Sequence, residues 1–155
     1  GALTKDLGVL DVAVADNVVQ HDMDTSALGD PYGLISGINE ILLPANPSMC
    51  RLLENCLQDK GVHYLTGTIA SGDQFVATEE KKTWIRSHFE AIAAEMEGAS
   101  IGQVCYINKV PFAILRSISD SEGGAMDYQT FAEKAAIRSI EVVVEFINRA
   151  GELQL

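Results

Sequence analysis

Apolar runs rich in β-branched residues alternate along the chain with segments of helical spacing. The runs predict four strands: Val9–Asp16, Val62–Ala70, Ala91–Ala94 and Val110–Ser117. Because they are nearly continuous rather than alternating, they are typical of strands that are buried on both faces of a largely parallel sheet. A polar, glycine-rich segment, roughly 17–39, is predicted to be a loop.

The segments between the strands predict helices with recognisable starts. Asn46 precedes Pro47 as an N-cap, and an i, i+3, i+4, i+7 stripe follows it, made of Met49, Leu52, Leu53, Cys56 and Leu57. Thr78, followed by two glutamates, opens a second helix with Trp84, Ile85 and Phe89 on its core side. A third helix is predicted at Ala99–Asn108. Asp127 is predicted to cap a long last helix whose inward face carries Phe131, Ala135, Ile140, Val144 and Ile147.

Strands that alternate with helices predict a three-layer α/β/α domain that spans residues 1–155. In open sheets of this kind, ligands bind beyond the carboxyl ends of the strands. Three polar segments follow predicted strand ends: SGDQF (71–75), EMEG (95–98) and SISDSEGG (117–124). We therefore expect a functional site where they meet.

Charge and composition narrow the classes of function. The net charge of -11, without a cluster of Lys or Arg, argues against binding to nucleic acid. No apolar run reaches the about 18–20 residues that span a bilayer, so no membrane partner is expected. The odd number of cysteines, without a CxxC pair, favours reduced thiols in a cytoplasmic protein. The HDMD segment (21–24) resembles a metal site, but a capping loop explains it better, so neither a metal nor a cofactor is predicted.

The EMEG segment carries two carboxylates around a methionine. In an extended chain Glu95 and Glu97 point to one side and Met96 to the other. A glutamate beside a helix N-terminus is an ordinary complement to the helix dipole, but that explains only one of the two. A carboxylate also binds vicinal hydroxyls such as a ribose diol, and methionine is an adaptable apolar cover.

Asp120 and Phe75 each allow two interpretations. Aspartate is favoured in turns, but Asp120 also ends an apolar strand, where desolvation raises a carboxyl pKa and makes a general acid available. Phe75 is either a core residue or a surface on which a flat ligand stacks.

Together SGDQFV, AEMEGAS and RSISDS resemble the nucleoside phosphorylase/nucleosidase superfamily, and within it the 5′-methylthioadenosine/S-adenosylhomocysteine nucleosidases. The HDMD segment, the VPF strand and FAEKAA in the last helix extend the resemblance over nearly the whole chain. It implies an α/β/α sandwich around a mixed sheet. It also implies an enzyme of methionine salvage that hydrolyses an N-glycosidic bond and releases adenine.

The resemblance implies a role for each candidate residue. Asp120 donates a proton to adenine N7 with support from Ser119, and Arg116 lies behind the site. Glu97 binds the ribose hydroxyls, Met96 packs on the ribose, and Glu95 lies nearby. Phe75 stacks on adenine while the backbone of Val76 reads its edge. Tyr128 lines the alkylthio pocket, and Gly1 falls in a glycine-containing substrate-binding segment. The loop 18–35 reaches a neighbouring subunit's site, which implies a homodimer.

Members of the family also carry a water-activating glutamate near their N-terminus, before the segment that Gly1-Ala2-Leu3 resembles. We therefore expect the chain to match the C-terminal two thirds of a member, with N-terminal strands missing and little or no turnover alone. Two alternatives stay open: a purine nucleoside phosphorylase, which needs cationic groups for phosphate, and a non-catalytic fragment that binds adenine nucleosides or only dimerises.

Overall fold

The computed structural model of the chain describes residues 1–120 and 125–153. Short single-turn helices lie at Ser26–Leu28 and Ala150–Glu152. The main elements are, in chain order, β1 (Val12–Gln20), β2 (Leu42–Pro44), α1 (Pro47–Asp59), β3 (Tyr64–Ser71), α2 (Glu79–Phe89), β4 (Ala91–Glu95), α3 (Gly98–Asn108), β5 (Leu115–Ser117) and α4 (Ala125–Asn148).

The helix starts show how closely local sequence sets the elements. The Asn46 side-chain oxygen accepts hydrogen bonds from the backbone N–H groups of Ser48 and Met49, both at 3.0 Å. Thr78 caps α2 by accepting from the Lys81 N–H at 3.3 Å. Both predicted caps are confirmed. The predicted cap at Asp127 is wrong, because α4 already begins at Ala125. Residues 121–124, which complete the SISDSEGG segment, lie outside the described residues.

The sheet is mixed and is centred on β1. β1 pairs in parallel with β3, and β3 pairs in parallel with β4. On its other side β1 pairs antiparallel with β2 and with β5. Val12, Ala13, Val14 and Ala15 are all fully buried. Because successive strand residues point to opposite faces, both faces of β1 are covered, as the apolar runs predict.

Residues 1–3 and 118–120 extend the sheet beyond its named strands. Ala2 bridges antiparallel to Ala93, and the Ala94 N–H donates to the Gly1 carbonyl at 2.9 Å. The Ala2 N–H in turn donates to the Asp120 carbonyl, also at 2.9 Å. The N-terminal segment thus joins β4 to the chain that follows β5, and this brings Asp120 close to the end of β4.

Several strand predictions need correction. The residues from Asn17 to Gln20 continue β1 instead of starting a loop, because Val18 and Val19 are buried and pair with both neighbouring strands. β2 was not predicted. The last strand contains only Leu115–Ser117, and the residues around Pro111 form no ladder, which fits proline's missing N–H.

The inward face of α4 also differs from the prediction. Ala135 and Val142 are buried, whereas Ile140, Val144 and Ile147 are exposed. The helix packs against α1 and β5 through the side that carries Ala135 and Val142. By contrast, four of the five residues of the predicted α1 stripe are buried, namely Leu52, Leu53, Cys56 and Leu57, whereas Met49 is partly exposed. In the part of the chain that the structure describes, no helix is long and apolar enough to cross a membrane.

Candidate active site

A cavity of about 360 Å³ lies beyond the carboxyl ends of β3 and β4 and beside α4. Every residue that the sequence places in a site lines this cavity: Gly1, Phe75, Val76, Glu95, Met96, Glu97, Ser119, Asp120 and Tyr128. The SGDQF and EMEG segments meet as expected from adjacent parallel strands. Asp120 does not follow a parallel strand, because β5 is antiparallel to β1. It is held beside the end of β4 by residues 1–3, which hydrogen-bond to both segments.

Asp120 is a buried carboxyl group at the wall of the cavity, with 3% of its surface exposed. Its Oδ1 accepts a hydrogen bond from the Ser119 hydroxyl at 3.0 Å and lies 3.5 Å from the Gly1 nitrogen. A Cβ on Gly1 would overlap Oδ2 of Asp120. The absence of a side chain at position 1 therefore leaves room for the carboxylate, which is oriented by its neighbours and not solvated as in an ordinary turn.

Glu95 faces the start of α3. Its carboxylate accepts hydrogen bonds from the N–H groups of Glu97 at 3.1 Å and Gly98 at 2.8 Å, and from the Ser71 hydroxyl. The Ser71 oxygen in turn accepts from the Ala99 N–H at 2.6 Å. Glu95 and Ser71 together satisfy three of the amide groups that a helix start leaves without intrahelical partners. Of the two glutamates of EMEG, Glu95 is therefore the one that binds the helix N-terminus.

Arg116 joins the two glutamates. Its Nη2 lies 3.2 Å from Oε2 of Glu95 and donates a hydrogen bond to Oε2 of Glu97. The side chain of Glu95 is 5% exposed, whereas that of Glu97 is 59% exposed. Both carboxylates therefore turn to the same cation, as alternation predicts, but only Glu97 is open to a ligand. We call Glu95, Glu97 and Arg116 the carboxylate corner.

A second part of the cavity wall is apolar and open. Phe75, Met96 and Tyr128 are each 45–48% exposed, and we call these three residues the aromatic side. The rings of Phe75 and Tyr128 meet edge-on, with centroids 5.7 Å apart. The interpretation of Phe75 as a core residue is therefore wrong. Its position suits a surface on which a flat ring stacks.

Some residues at the cavity were not predicted. Ser71 is predicted only as part of a turn, but it ends β3 and its hydroxyl binds the Glu95 carboxylate beneath the cavity wall. Lys82 is buried and lines the cavity from α2, and the small residues Ala132, Ala135, Ala136 and Ser139 line it from α4. Arg116 was expected behind the site but lies on its wall. Among the described residues, no group of three His, Cys, Asp or Glu side chains is arranged to hold a metal ion.

A family model described as the phosphorylase superfamily matches residues 1–148. The chain belongs to the phosphorylase superfamily. It is 39% identical to the aminodeoxyfutalosine nucleosidase of Helicobacter pylori strain J99, over 96% of this chain and 65% of that protein. It is equally similar, at 39%, to the 5′-methylthioadenosine/S-adenosylhomocysteine nucleosidase of Staphylococcus saprophyticus, over 96% of this chain and 66% of the relative.

Solved structures of the same superfamily share the fold. One is a mutant of the H. pylori 5′-methylthioadenosine/S-adenosylhomocysteine nucleosidase with 5′-methylthioadenosine in the active site. It matches with a TM-score of 0.91 and 38% identity, over 96% of this chain and 65% of that one. The predicted α/β/α fold with a mixed sheet is confirmed. The chain spans just under two thirds of the length of these relatives.

Proposed function

We propose that the protein hydrolyses the N-glycosidic bond of 5′-methylthioadenosine and S-adenosylhomocysteine and releases adenine. The observation that carries this proposal is that buried Asp120 lines one cavity together with the carboxylate corner and the aromatic side. A nucleoside needs these three features together: a surface for its base, a hydrogen-bonding group for its ribose diol, and an acid at the base. One similar sequence and one similar solved structure are named as 5′-methylthioadenosine/S-adenosylhomocysteine nucleosidases, and these names support the same reaction.

Each part of the site has a step in this reaction. Phe75 stacks on the adenine, and the Val76 backbone binds its edge. Glu97 accepts hydrogen bonds from the two ribose hydroxyls while Arg116 holds its carboxylate, and Met96 covers the sugar. Tyr128 and the small residues of α4 face the 5′-thioether. No cofactor is required.

In the chemical step the Asp120 carboxyl group gives its proton to N7 of adenine. The bond between N9 and the anomeric carbon then breaks, and its electron pair stays with the neutral base. The ribosyl ring acquires positive charge and water adds to the anomeric carbon; the proton that the water loses returns through solvent to the Asp120 carboxylate and restores the acid. A well-placed general acid contributes about 10²–10⁴ in rate. The Ser119 hydroxyl keeps the Asp120 carboxyl oriented for this transfer.

We also propose that residues 1–155 form one domain of a cytoplasmic homodimer. Exposed apolar side chains support a second copy: Leu28 is 83% exposed, and Ile101, Val104 and Ile107 form an exposed face of α3. Large apolar patches on a protein surface mark interaction sites. In such a dimer the segment 18–35 extends toward the site of the neighbouring subunit through its residues 25–35, which follow β1 and the HDMD segment.

Equilibrium binding and product release test the proposal separately. Adenine and 5′-methylthioadenosine are titrated calorimetrically into the protein, and adenine release is followed with 5′-methylthioadenosine, S-adenosylhomocysteine and aminodeoxyfutalosine as substrates. We expect binding of adenine and of both thioether nucleosides, and slow adenine release by residues 1–155 in phosphate-free buffer. If neither adenine nor a nucleoside binds, the proposal is wrong.

Phosphate distinguishes the remaining alternative within the superfamily. A phosphorylase releases adenine only when phosphate is present and forms ribose 1-phosphate derivatives, whereas a nucleosidase releases the free sugar. We expect release to be independent of phosphate. Binding without any release, in protein whose fold is intact, would favour the non-catalytic interpretation.

A further inference from the structure

The HDMD segment at the end of β1 takes no part in the function described so far. We propose that Asp22 is a positioning residue that holds the loop 72–76, and with it Phe75 and Val76, in place to bind the base. This inference rests on the proposed function for the identity of the ligand. Asp22 is not among the described residues that line the cavity, so its effect passes through the loop.

One hydrogen bond joins the loop to Asp22, and a second holds the Asp22 carboxylate from β1. The backbone N–H of Asp73 donates to Oδ2 of Asp22 at 2.7 Å, across 51 residues of sequence. The side chain of Gln20 donates to Oδ1 at 2.5 Å. Both oxygens therefore act as acceptors, and one of the two donors lies only two residues before Phe75. A hydrogen bond to an ionised group is stronger than one between neutral groups.

Packing provides an independent restraint on the same loop. His21 is fully buried, and its backbone N–H donates to the Ser71 carbonyl at 2.8 Å. A Cβ at Gly72 would lie 2.5 Å from Nε2 of His21 and 2.9 Å from Cγ of Asp22. Only glycine allows the loop to approach this closely. Contact at Gly72 and a hydrogen bond at Asp73 together leave the loop little freedom before it reaches the cavity.

The chemistry of the contact favours a carboxylate over its amide. Burial alone would raise the pKa of Asp22, but the hydrogen bonds from Asp73 and Gln20 outweigh it and hold the pKa below its usual range. Asp22 is thus ionised at neutral pH and can accept from both donors. An asparagine has a single acceptor oxygen, and its amide nitrogen would face a second donor.

Asp22→Asn is the decisive variant, and Asp24→Asn is its matched control. Asp24 lies in the same segment, but its carboxylate accepts from the Ser26 N–H at 2.9 Å rather than from the loop 72–76. Loss of a hydrogen bond to a charged group costs about 1.5–3 kcal/mol, so we expect the Kd for adenine and the KM of Asp22→Asn to rise about tenfold or more. We expect kcat to change far less, because Asp120 is untouched, and Asp24→Asn to match the wild type.

Amide hydrogen exchange measures the protection of the loop 72–76 without any ligand. In Asp22→Asn the amide of Asp73 should exchange faster, while the amides of β3 stay protected; in Asp24→Asn both should match the wild type. Unchanged exchange at Asp73 would overturn the inference. If the wild type binds no adenine, the proposed function fails, but this exchange experiment still decides whether Asp22 holds the loop.

Gly72→Ala provides a second route to the same loop should Asp22→Asn fail to fold. The added methyl group must displace the loop from His21, so we expect a raised KM with kcat largely retained. An unchanged KM in Gly72→Ala, or a fall in kcat alone in either variant, would contradict a positioning role.

Discussion

The two walls of the cavity are built in opposite ways. In the carboxylate corner the charged groups are already engaged with the protein: Glu95 accepts from backbone and hydroxyl donors, and Arg116 contacts both glutamates. On the aromatic side, Phe75, Met96 and Tyr128 keep nearly half of their surface exposed. One wall is organised before a ligand arrives, whereas the other retains apolar area that a ligand would bury.

This difference separates stability from affinity within one site. Removing a buried, multiply bonded acceptor leaves donors without partners and lowers the stability of the fold. Removing an exposed ring costs the folded protein little but deprives the ligand of a surface. Substitutions on the two walls should therefore be distinguishable by measuring unfolding and binding side by side.

The largest effect is expected at Asp120, which lines the same cavity as both walls. Asp120→Asn keeps the shape of the side chain but removes the acid, so adenine release should fall by about 10²–10⁴. Binding of 5′-methylthioadenosine should stay within a few-fold, because both walls are unchanged. Steady-state kinetics and calorimetry measure the two quantities. Ser119→Ala is the control for orientation alone, with an expected smaller loss; release from Asp120→Asn at the wild-type rate would falsify the assignment of the acid.

The two glutamates of EMEG test the comparison within one wall. Glu95→Ala removes the acceptor for the Glu97 and Gly98 amides and for Ser71, and should lower the free energy of unfolding by about 2–3 kcal/mol. Glu97→Ala, at a site whose side chain is 59% exposed, should change it by no more than about 0.5 kcal/mol but weaken nucleoside binding. Denaturant unfolding gives the first quantity and titration the second. Equal losses of stability in both variants would mean that the two glutamates do not differ as described.

Phe75→Ala tests the aromatic side. Stacking of a base on an aromatic ring contributes about 1–3 kcal/mol, so the Kd for adenine should rise at least about fivefold. Stability should hardly change, because Phe75 is 48% exposed. Tyr128→Phe is the matched control, since it keeps the edge-on contact with Phe75 and removes only the hydroxyl. A large fall in the unfolding midpoint of Phe75→Ala would show that the ring belongs to the core after all.

Much of this architecture can be predicted from local sequence, because local chemistry determines it. Asn46 and Thr78 are capping residues directly before helices, and both act as caps. The glutamates of EMEG follow a short apolar strand, and their alternation places both next to one cation. Family resemblance then assigned residues to a cavity that all of them line.

The remaining features depend on contacts between segments far apart in the chain. The apolar stripe predicted for α4 named Ile140 and Ile147, but the buried face is set by α1 and β5 and selects Val142. The antiparallel pairing of β5, and the bridge from Gly1–Leu3 to β4, are pairings that no local pattern specifies. The role of Ser71 depends on α3, which starts 27 residues later along the chain.

The smallest expected effect concerns His21, which packs against Gly72 at the start of the loop 72–76. Within the described residues neither ring nitrogen of His21 has a hydrogen-bond partner. Desolvation lowers its pKa below the usual 6.5, while Asp22 and Glu95 act to raise it and Lys81 to lower it further. The folded protein therefore resists a proton that the unfolded chain accepts. Stability from this group is complete above about pH 6.5 and falls as the pH drops below it.

Unfolding measured between pH 7.5 and 5.5 checks this sign. His21 should contribute a loss of no more than about 1.4 kcal/mol per pH unit in the acidic part of the range. His21→Phe should flatten that part of the profile, whereas His63→Gln, at an exposed site beside Asp11, should retain the contribution of His21. A profile unchanged by His21→Phe would show that the buried imidazole does not sense pH. Adenine binding measured over the same acidic range extends the test. If binding weakens in the wild type but not in His21→Phe, protonation of His21 acts on the loop 72–76 as well as on the fold.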